Sequence, residues 1–244
     1  MSAHERVTAV TGGSRGIGAA TVRRLAEAGH GVVVGFARDR EAAEAVAAEV
    51  GRAGSRAVAL QVDVTDAASL ARFFDDGAAR LGPLTGVVAN AGAVSAVGRL
   101  TDLDPEALRR DLDVNLLGAV LTCQAAIAHL ERTAGTLVLV GSAAATIGSP
   151  GSYVHYAAAK AGVAALAVGL SKELAPSGIR VNCVEPGTVW SDFHQDPQRP
   201  AKVAAGIPLG RAGEPHEISG AIAWLLSDEA SYTTGATFRI AGGL

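Results

Sequence analysis

Short β-branched runs alternate with alanine-rich, helix-period segments along the whole chain. In order, the runs are RVTAV, GVVV, RAVALQV, GVVAN, GTLVLVG, IRVNCV and TFRIA. Strand, helix and strand in repeated succession imply crossover connections, which force neighbouring strands to run parallel. The runs are apolar at consecutive positions rather than at every second one, so both faces of the sheet must be covered. The intervening segments read as helices with their own stops and starts. DREAAEAVAAEVGRAG runs to a glycine, and TDAASLARFFDDGAARLG opens on a Thr or Asp cap. A length of 244 residues suits one α/β domain, so a single unit over 1–244 is expected. Only the stretch from Gly187 to Gly213 resists the alternation. With Pro197, Pro200 and Pro208 it reads as an irregular insertion, a lid over 188–213 at one end of the sheet.

The first strand runs straight into TGGSRGIG, Thr11 to Gly18, and this loop opens the first helix. Such a loop needs one glycine for a tight turn, one where backbone approaches a pyrophosphate, and one where helix meets sheet. Gly12, Gly16 and Gly18 suit these roles, with Ser14, Arg15 and Ile17 filling the loop. Unpaired N–H groups and the positive end of the helix dipole would then face the phosphates. The end of the second strand bears on the choice between NAD and NADP. An acid there would bind the adenosine ribose hydroxyls, but VVVGFARDR has Ala37 at that position and Arg38 after it. Arg38 and Arg15 can take a 2′-phosphate between them, so NADP(H) is favoured over NAD(H). Asp39 is then expected to cap the next helix. Asp63 and Val64 follow the third strand, and Asn90, Ala91 and Gly92 the fourth, all at the carboxyl edge where ligands bind in such sheets.

YVHYAAAK, residues 153–160, sets two tyrosines against one lysine. On a helix all three share a face, but at ~1.5 Å rise per residue Tyr156 lies ~6 Å from Lys160 and Tyr153 ~10.5 Å. Lys160 therefore serves Tyr156, and Pro150 and Gly151 put Tyr153 at the very start of the helix, where it can line a pocket. A free phenol, with a pKa near ~10, is a poor proton donor and acceptor at neutral pH. A neighbouring ammonium, helped by an oxidised nicotinamide's charge, is expected to lower it. Ser142, closing the fifth strand in LVLVGS, can reach the same substrate oxygen and stabilise charge developing there.

Taken together, TGGSRGIG, NAG, Asn115 in DLDVNLLG, Ser142, YAAAK and EPGT resemble the short-chain dehydrogenases/reductases. The resemblance runs from Val7 to Gly243, and is closest to members of the 3-oxoacyl-carrier-protein reductase and glucose dehydrogenase kinds. It implies one Rossmann-type doubly wound domain with a seven-stranded parallel sheet flanked by helices, and commonly a homotetramer, or a homodimer. It further implies Tyr156 as acid/base, Lys160 lowering its pKa and holding the nicotinamide ribose, and Ser142 orienting the substrate. Asn115 would support a proton-relay water, and Pro186, Gly187 and Thr188 would hold the nicotinamide. The chain departs from the usual pattern at Ala89 before NAG, at Gly141 beside Ser142, and in the long interval from Ser142 to Tyr156.

The remaining composition narrows the partners. A net charge of -3 offers no field for nucleic acid or for a membrane surface, so a small molecule is expected. The longest uncharged stretch, 133–159, is interrupted by glycines, Pro150 and hydroxyl residues, which argues against a spanning helix. Cys123 and Cys183 lie in apolar patterns without metal-ligand spacing; buried reduced thiols, no metal and a cytoplasmic protein are expected. The N-terminus lacks the order of a signal peptide. Tyr153, His155, Trp190, Phe193 and His194 are the candidates for the substrate pocket. The reaction expected is hydride transfer between nicotinamide and a carbonyl or secondary alcohol, most simply ketone reduction. Sugar or polyol oxidation with the same residues, and a non-catalytic NADP-binding regulator on the same fold, remain alternatives.

Overall fold

A computed structural model describes residues 6–191, 193 and 195–244. Seven strands form one sheet in the order β3-β2-β1-β4-β5-β6-β7, every neighbouring pair parallel. They are β1 Val7–Val10, β2 Gly31–Phe36, β3 Ala57–Gln61, β4 Gly86–Ala89, β5 Thr136–Val140, β6 Arg180–Pro186 and β7 Thr237–Ile240. The helices between them are α1 Gly16–Glu27, α2 Arg40–Arg52, α3 Ala67–Leu81, α4 Pro105–Leu112, α5 Gly118–Leu130, the short α6 Ala144–Ile147, α7 Val154–Glu173, the short α8 Arg199–Val203 and α9 Pro215–Leu225. A π-helical turn, Asp113–Leu117, joins α4 to α5.

The double-sided burial read from the runs is visible residue by residue. Val10, Val32, Val34, Val88, Val138, Val140 and Val184 point to the face covered by α1, α2 and α9. Their neighbours Ala9, Val33, Val87, Leu137, Leu139, Val181 and Cys183 point to the face covered by α3, α5 and α7. Side chains alternate across a strand, so a run apolar at every position is the pattern a sheet between two helical layers demands. Cys123 and Cys183 are buried and unbridged, and burial pushes their thiols up to about 12 and about 11, which leaves them inert. Pro105–Leu130 and α7 are long and apolar enough to cross a membrane by length and composition alone. In the fold, α5 and α7 place Cys123, Ala126, Leu130, Val163 and Ala167 in the core beneath the sheet.

Helix starts follow the capping chemistry of the sequence. Asp39, Asp66 and Asp104 each accept a backbone N–H in the first turn of α2, α3 and α4. Asp39 is thereby the helix cap expected.

His30, 3% exposed where α1 hands over to β2, has its Nδ1 2.9 Å from Thr8 Oγ1. Burial, with the Arg6 charge adding to it, lowers its pKa to about 4. Between pH 6.5 and about 4 the unfolded chain takes up a proton that the fold refuses, so His30's contribution is complete above 6.5 and is lost as pH falls through that window. We expect the urea midpoint to drop across the window by an amount worth roughly 2–3 kcal/mol, and His30→Gln to flatten that slope. A slope unchanged in the variant would assign the acid sensitivity elsewhere.

Candidate active site

A parallel sheet sends all its strand ends to one edge, and the order reverses between β1 and β4 because their crossovers leave to opposite faces. At this point a cleft of about 1660 Å³ opens, lined by residues from the ends of six strands. One end is formed by the glycine loop. Gly12 and Gly16 have φ of 65° and 53°, a region side chains seldom adopt, and a Cβ on Gly18 would sit 2.0 Å from the Gly12 carbonyl oxygen. The first helical bond of α1 is Ala19 N–H to Arg15 O, so the N–H groups of Gly16, Ile17 and Gly18 remain for a ligand, with no acidic side chain in that turn. Thr11 and Asn90 brace the loop. Thr11 Oγ1 accepts the Asn90 and Ala91 N–H groups, and the Asn90 amide donates to the carbonyls of Thr11 and Gly12, both at 3.0 Å. Thr11 was not singled out from sequence, although its place at the end of β1 was the available signal.

Ala37, Arg38, Asp63 and Val64 line the same end, beside Ser14 and Arg15. Arg15 and Arg38 are exposed, and among the described residues neither is in an ion pair with a carboxylate. Asp63 spends one carboxylate oxygen on the Thr65 N–H and hydroxyl, at 2.9 and 2.7 Å. Ala91 and Gly92 continue along the floor, and Pro186, Gly187 and Thr188 form the wall after β6. This cradle fits a dinucleotide: backbone donors without partners, free cations and no room for side chains where a phosphate backbone must pass.

The other end holds the chemistry. Tyr156, on the first turns of α7, is 8% exposed, its ring 5.4 Å from that of Tyr153 and 5.7 Å from that of Phe193. Lys160 Nζ lies 5.7 Å from the centre of the Tyr156 ring, as the four-residue spacing requires, and donates to the Val140 carbonyl at 2.9 Å. Ser142, at the end of β5, faces the same cleft, its Oγ accepting the Ala144 N–H at 3.1 Å. The stretch from Ser142 to Tyr156 takes up its length in α6, the left-handed Gly148 and a turn at 149–152.

The lowering expected from Lys160 together with an oxidised nicotinamide is not the balance that acts on the phenol in the chain by itself. Burial pushes Tyr156 well above its ordinary pKa, and Tyr153 adds to the rise, while the Ser142 hydroxyl opposes it. The Lys160 ammonium donates to the Val140 carbonyl, and burial lowers its own pKa to about 8. A phenol is in its protonated form at neutral pH and can give that proton to a substrate oxygen on which negative charge builds.

Asn115 sits behind the cleft, fully buried in the π-helical turn. Its amide donates to the carbonyls of Ala93 and Asp111, and its oxygen accepts the Ala93 N–H. It therefore fixes the loop after β4. Two expected pocket residues lie elsewhere. His155 follows Tyr153 by two and precedes Tyr156 by one, which turns it away from the cleft; its Nε2 meets Asp111 Oδ2 at 2.9 Å. Trp190 is 38% exposed and does not line the cleft. Tyr153 and Phe193 do line it, and His194 lies outside the described residues. Asp111 was missed by sequence reading, since its partners are distant in the chain. Burial works against its charge, but hydrogen bonds from Ser95, His155 and the Ala96 and Ser95 N–H groups hold its pKa below the ordinary value. The insertion after β6 is closed at its base, where Gly213 N–H donates to Thr188 O and Trp190 N–H to Gly213 O.

Fold, nucleotide cradle and Ser-Tyr-Lys grouping define an oxidoreductase of the nicotinamide-binding α/β class. The family model described as enoyl-(acyl carrier protein) reductase matches residues 12–244, and the chain belongs to the short-chain dehydrogenase/reductase family. It is 42% identical to a cis-4-hydroxycyclohexanecarboxylate dehydrogenase of Sinomonas cyclohexanicum, over 98% of this chain and 96% of that one. It is 39% identical to the uncharacterized oxidoreductase YgfF of Escherichia coli (strain K12), over 97% of this chain and 99% of that one. Among solved structures, a blue fluorescent protein from a metagenomic library, in complex with NADPH, superposes with a TM-score of 0.91 at 32% identity. That match covers 98% of this chain and 97% of the other.

Gly18→Ala should abolish tight binding of the nicotinamide nucleotide, read by quenching of protein fluorescence, because the new methyl meets the Gly12 carbonyl and the Asn90 amide. Gly51→Ala, in α2 with nothing within 4 Å of the added methyl, is the control. It should leave binding intact and raise stability by about 0.5–1 kcal/mol.

Proposed function

We propose that this protein is an NADP(H)-dependent ketoreductase in which Tyr156 is the general acid/base. The observation that carries the reading is that Tyr156, Ser142 and Lys160 converge at one end of a cleft whose other end is built for a dinucleotide. When bound, the nicotinamide supplies the hydride for a carbonyl carbon, or accepts one from a secondary alcohol. The residues of the chain do the rest. Ser142 donates its hydroxyl hydrogen to the substrate oxygen and fixes its direction, and Tyr156 gives that oxygen a proton as negative charge builds there. Lys160, charged below about pH 8, offers the nearest cation to the phenolate left behind and is the donor through which a proton returns. Asn115 acts by holding the 93–96 loop and the turn beside Lys160, close to the path of that proton.

The preference for NADP(H) is supported by Ala37 in place of an acid and by Arg15 and Arg38, whose guanidiniums are free to bind a 2′-phosphate. The solved NADPH complex of a relative is in keeping with it. A carbonyl or secondary alcohol substrate accords with the hydroxy acid in the name of the Sinomonas relative. Residues 188–213 serve as the lid over the substrate end of a single dinucleotide-binding domain. A homotetramer, or a homodimer, is supported by Leu112, Leu117, Val120 and Val168, exposed apolar side chains on the α4–α5 run and α7. The reading places the enzyme in the cytoplasm, with no nucleic-acid or membrane partner.

The deciding experiment is a panel of ketones and alcohols, including sugars, followed by nicotinamide absorbance with each cofactor; a protein that turns over none of them while binding NADPH would be a regulator instead. Tyr156→Phe should bind NADPH as the parent does and lose at least ~10³-fold in kcat, and undiminished turnover would remove the acid/base assignment. Arg38→Ala should narrow the preference for NADPH over NADH by about 1–3 kcal/mol, measured as the ratio of kcat/KM values. An unchanged ratio would return Arg38 to the solvent.

A further inference from the structure

One cation in the cleft belongs to neither the phosphate end nor the Tyr156–Lys160 pair. Arg199, the first residue of α8, lines the cleft wall together with Tyr153, Phe193 and Val203. Its Nη2 donates to Tyr153 Oη at 2.9 Å, and its guanidinium carbon stands 5.0 Å from the centre of that ring. Its Nε is enclosed by protein and has no hydrogen-bond partner. Among the described residues no carboxylate forms an ion pair with Arg199. Asp196, the acid whose charge it feels, is taken by Lys202 Nζ at 2.6 Å and the Gln198 N–H at 2.9 Å.

A half-buried guanidinium without a carboxylate partner is costly, and such groups are usually satisfied by something. Here the side chain is already ordered by stacking and by a neutral phenol, and among the described residues it has no direct ion-pair partner. That is the condition of an anion site awaiting its anion, since a planar fork of donors matches a carboxylate bidentately. Tyr153 ties the site to the chemistry. Its ring is edge-on to that of Tyr156 at 5.4 Å, so two contacts, Tyr156 to Tyr153 and Tyr153 to Arg199, bridge from acid to guanidinium. Val94 and Phe193 pack in one apolar cluster with Tyr153 and Tyr156, and Ile147 also lines the cleft.

The geometry points to Arg199, held by Tyr153, as the anchor for a carboxylate carried by the substrate at the end away from its reacting carbonyl. This deepens the proposed reductase reading and rests on it. The substrate class is then a free oxo acid, or the matching hydroxy acid, with a short apolar skeleton between its two functional groups. A carrier-bound thioester presents no carboxylate to this site.

The test compares 4-oxopentanoate, 5-oxohexanoate and 6-oxoheptanoate with their primary amides, which keep shape and lose charge, using NADPH and the whole protein. The parent should favour at least one acid over its amide by tenfold or more in kcat/KM, with the difference lying in KM. Arg199→Ala should bring that ratio to near one, and Arg199→Lys, a cation without the planar fork, should restore it in part. Equal use of acid and amide by the parent, or a ratio untouched in Arg199→Ala, would overturn the anchor. Calorimetric titration of hexanoate against hexanamide in the presence of NADP+ needs no turnover and separates the two readings. Hexanoate binding that disappears in Arg199→Ala sustains the anchor even if no ketone is reduced, whereas absence of binding in the parent defeats it even if neutral ketones are.

Discussion

Asn90 fastens the end of β4 to the end of β1 by giving both hydrogens of its amide to the carbonyls of Thr11 and Gly12, while Thr11 takes up its backbone N–H. These two strands are where the sheet changes direction, so they have no helix passing between them to hold their ends. The carbonyls at the start of the glycine loop would otherwise point into the cleft and repel phosphate. Turned onto an amide, they leave the N–H groups of α1 facing the ligand, and the cradle acquires its sign. The added methyl that Gly18 cannot accept would strike this same pair of groups.

From that brace the active end follows by parallel register alone. β5 pairs with β4 on one side and β6 on the other, so Ser142 and Pro186 emerge beside Asn90 at the same edge. α7 crosses beneath them, and the Lys160 ammonium reaches up to the carbonyl of Val140 at the end of β5. A lysine so placed is fixed by the sheet before any ligand arrives.

Much of this was legible from the sequence because it depends on local rules. Strand runs apolar at every position, glycines at the turn, Ala37 where an acid would stand, and the four-residue step from Tyr156 to Lys160 all have one physical reading each. Side chains whose roles depend on a partner far along the chain were harder. His155 looked like a pocket residue by proximity to Tyr156, but one helical step rotates it by about 100°, onto an aspartate 44 positions earlier. Arg199 lies in an irregular segment, and only the fold stacks it on Tyr153. Trp190 shares a loop with Phe193, and nothing in an irregular segment says which of two aromatics turns inward.

The π-helical turn at 113–117 also bears on how this scaffold tolerates change. Buried positions 107, 111, 115, 118, 122, 126 and 130 drift ahead of a regular helix by about one residue over the α4–α5 run. The turn absorbs that surplus and lets Asn115 face inward while the apolar stripe of α5 still meets the sheet. Deleting one residue here would iron the turn into ordinary helix while the stretches on either side keep their phase, and the cost would fall on the local backbone that turns Asn115 inward. Loss of a single codon in this region would thus be felt first at Asn115 and the loop it holds, and least in the packing of α5 against the sheet.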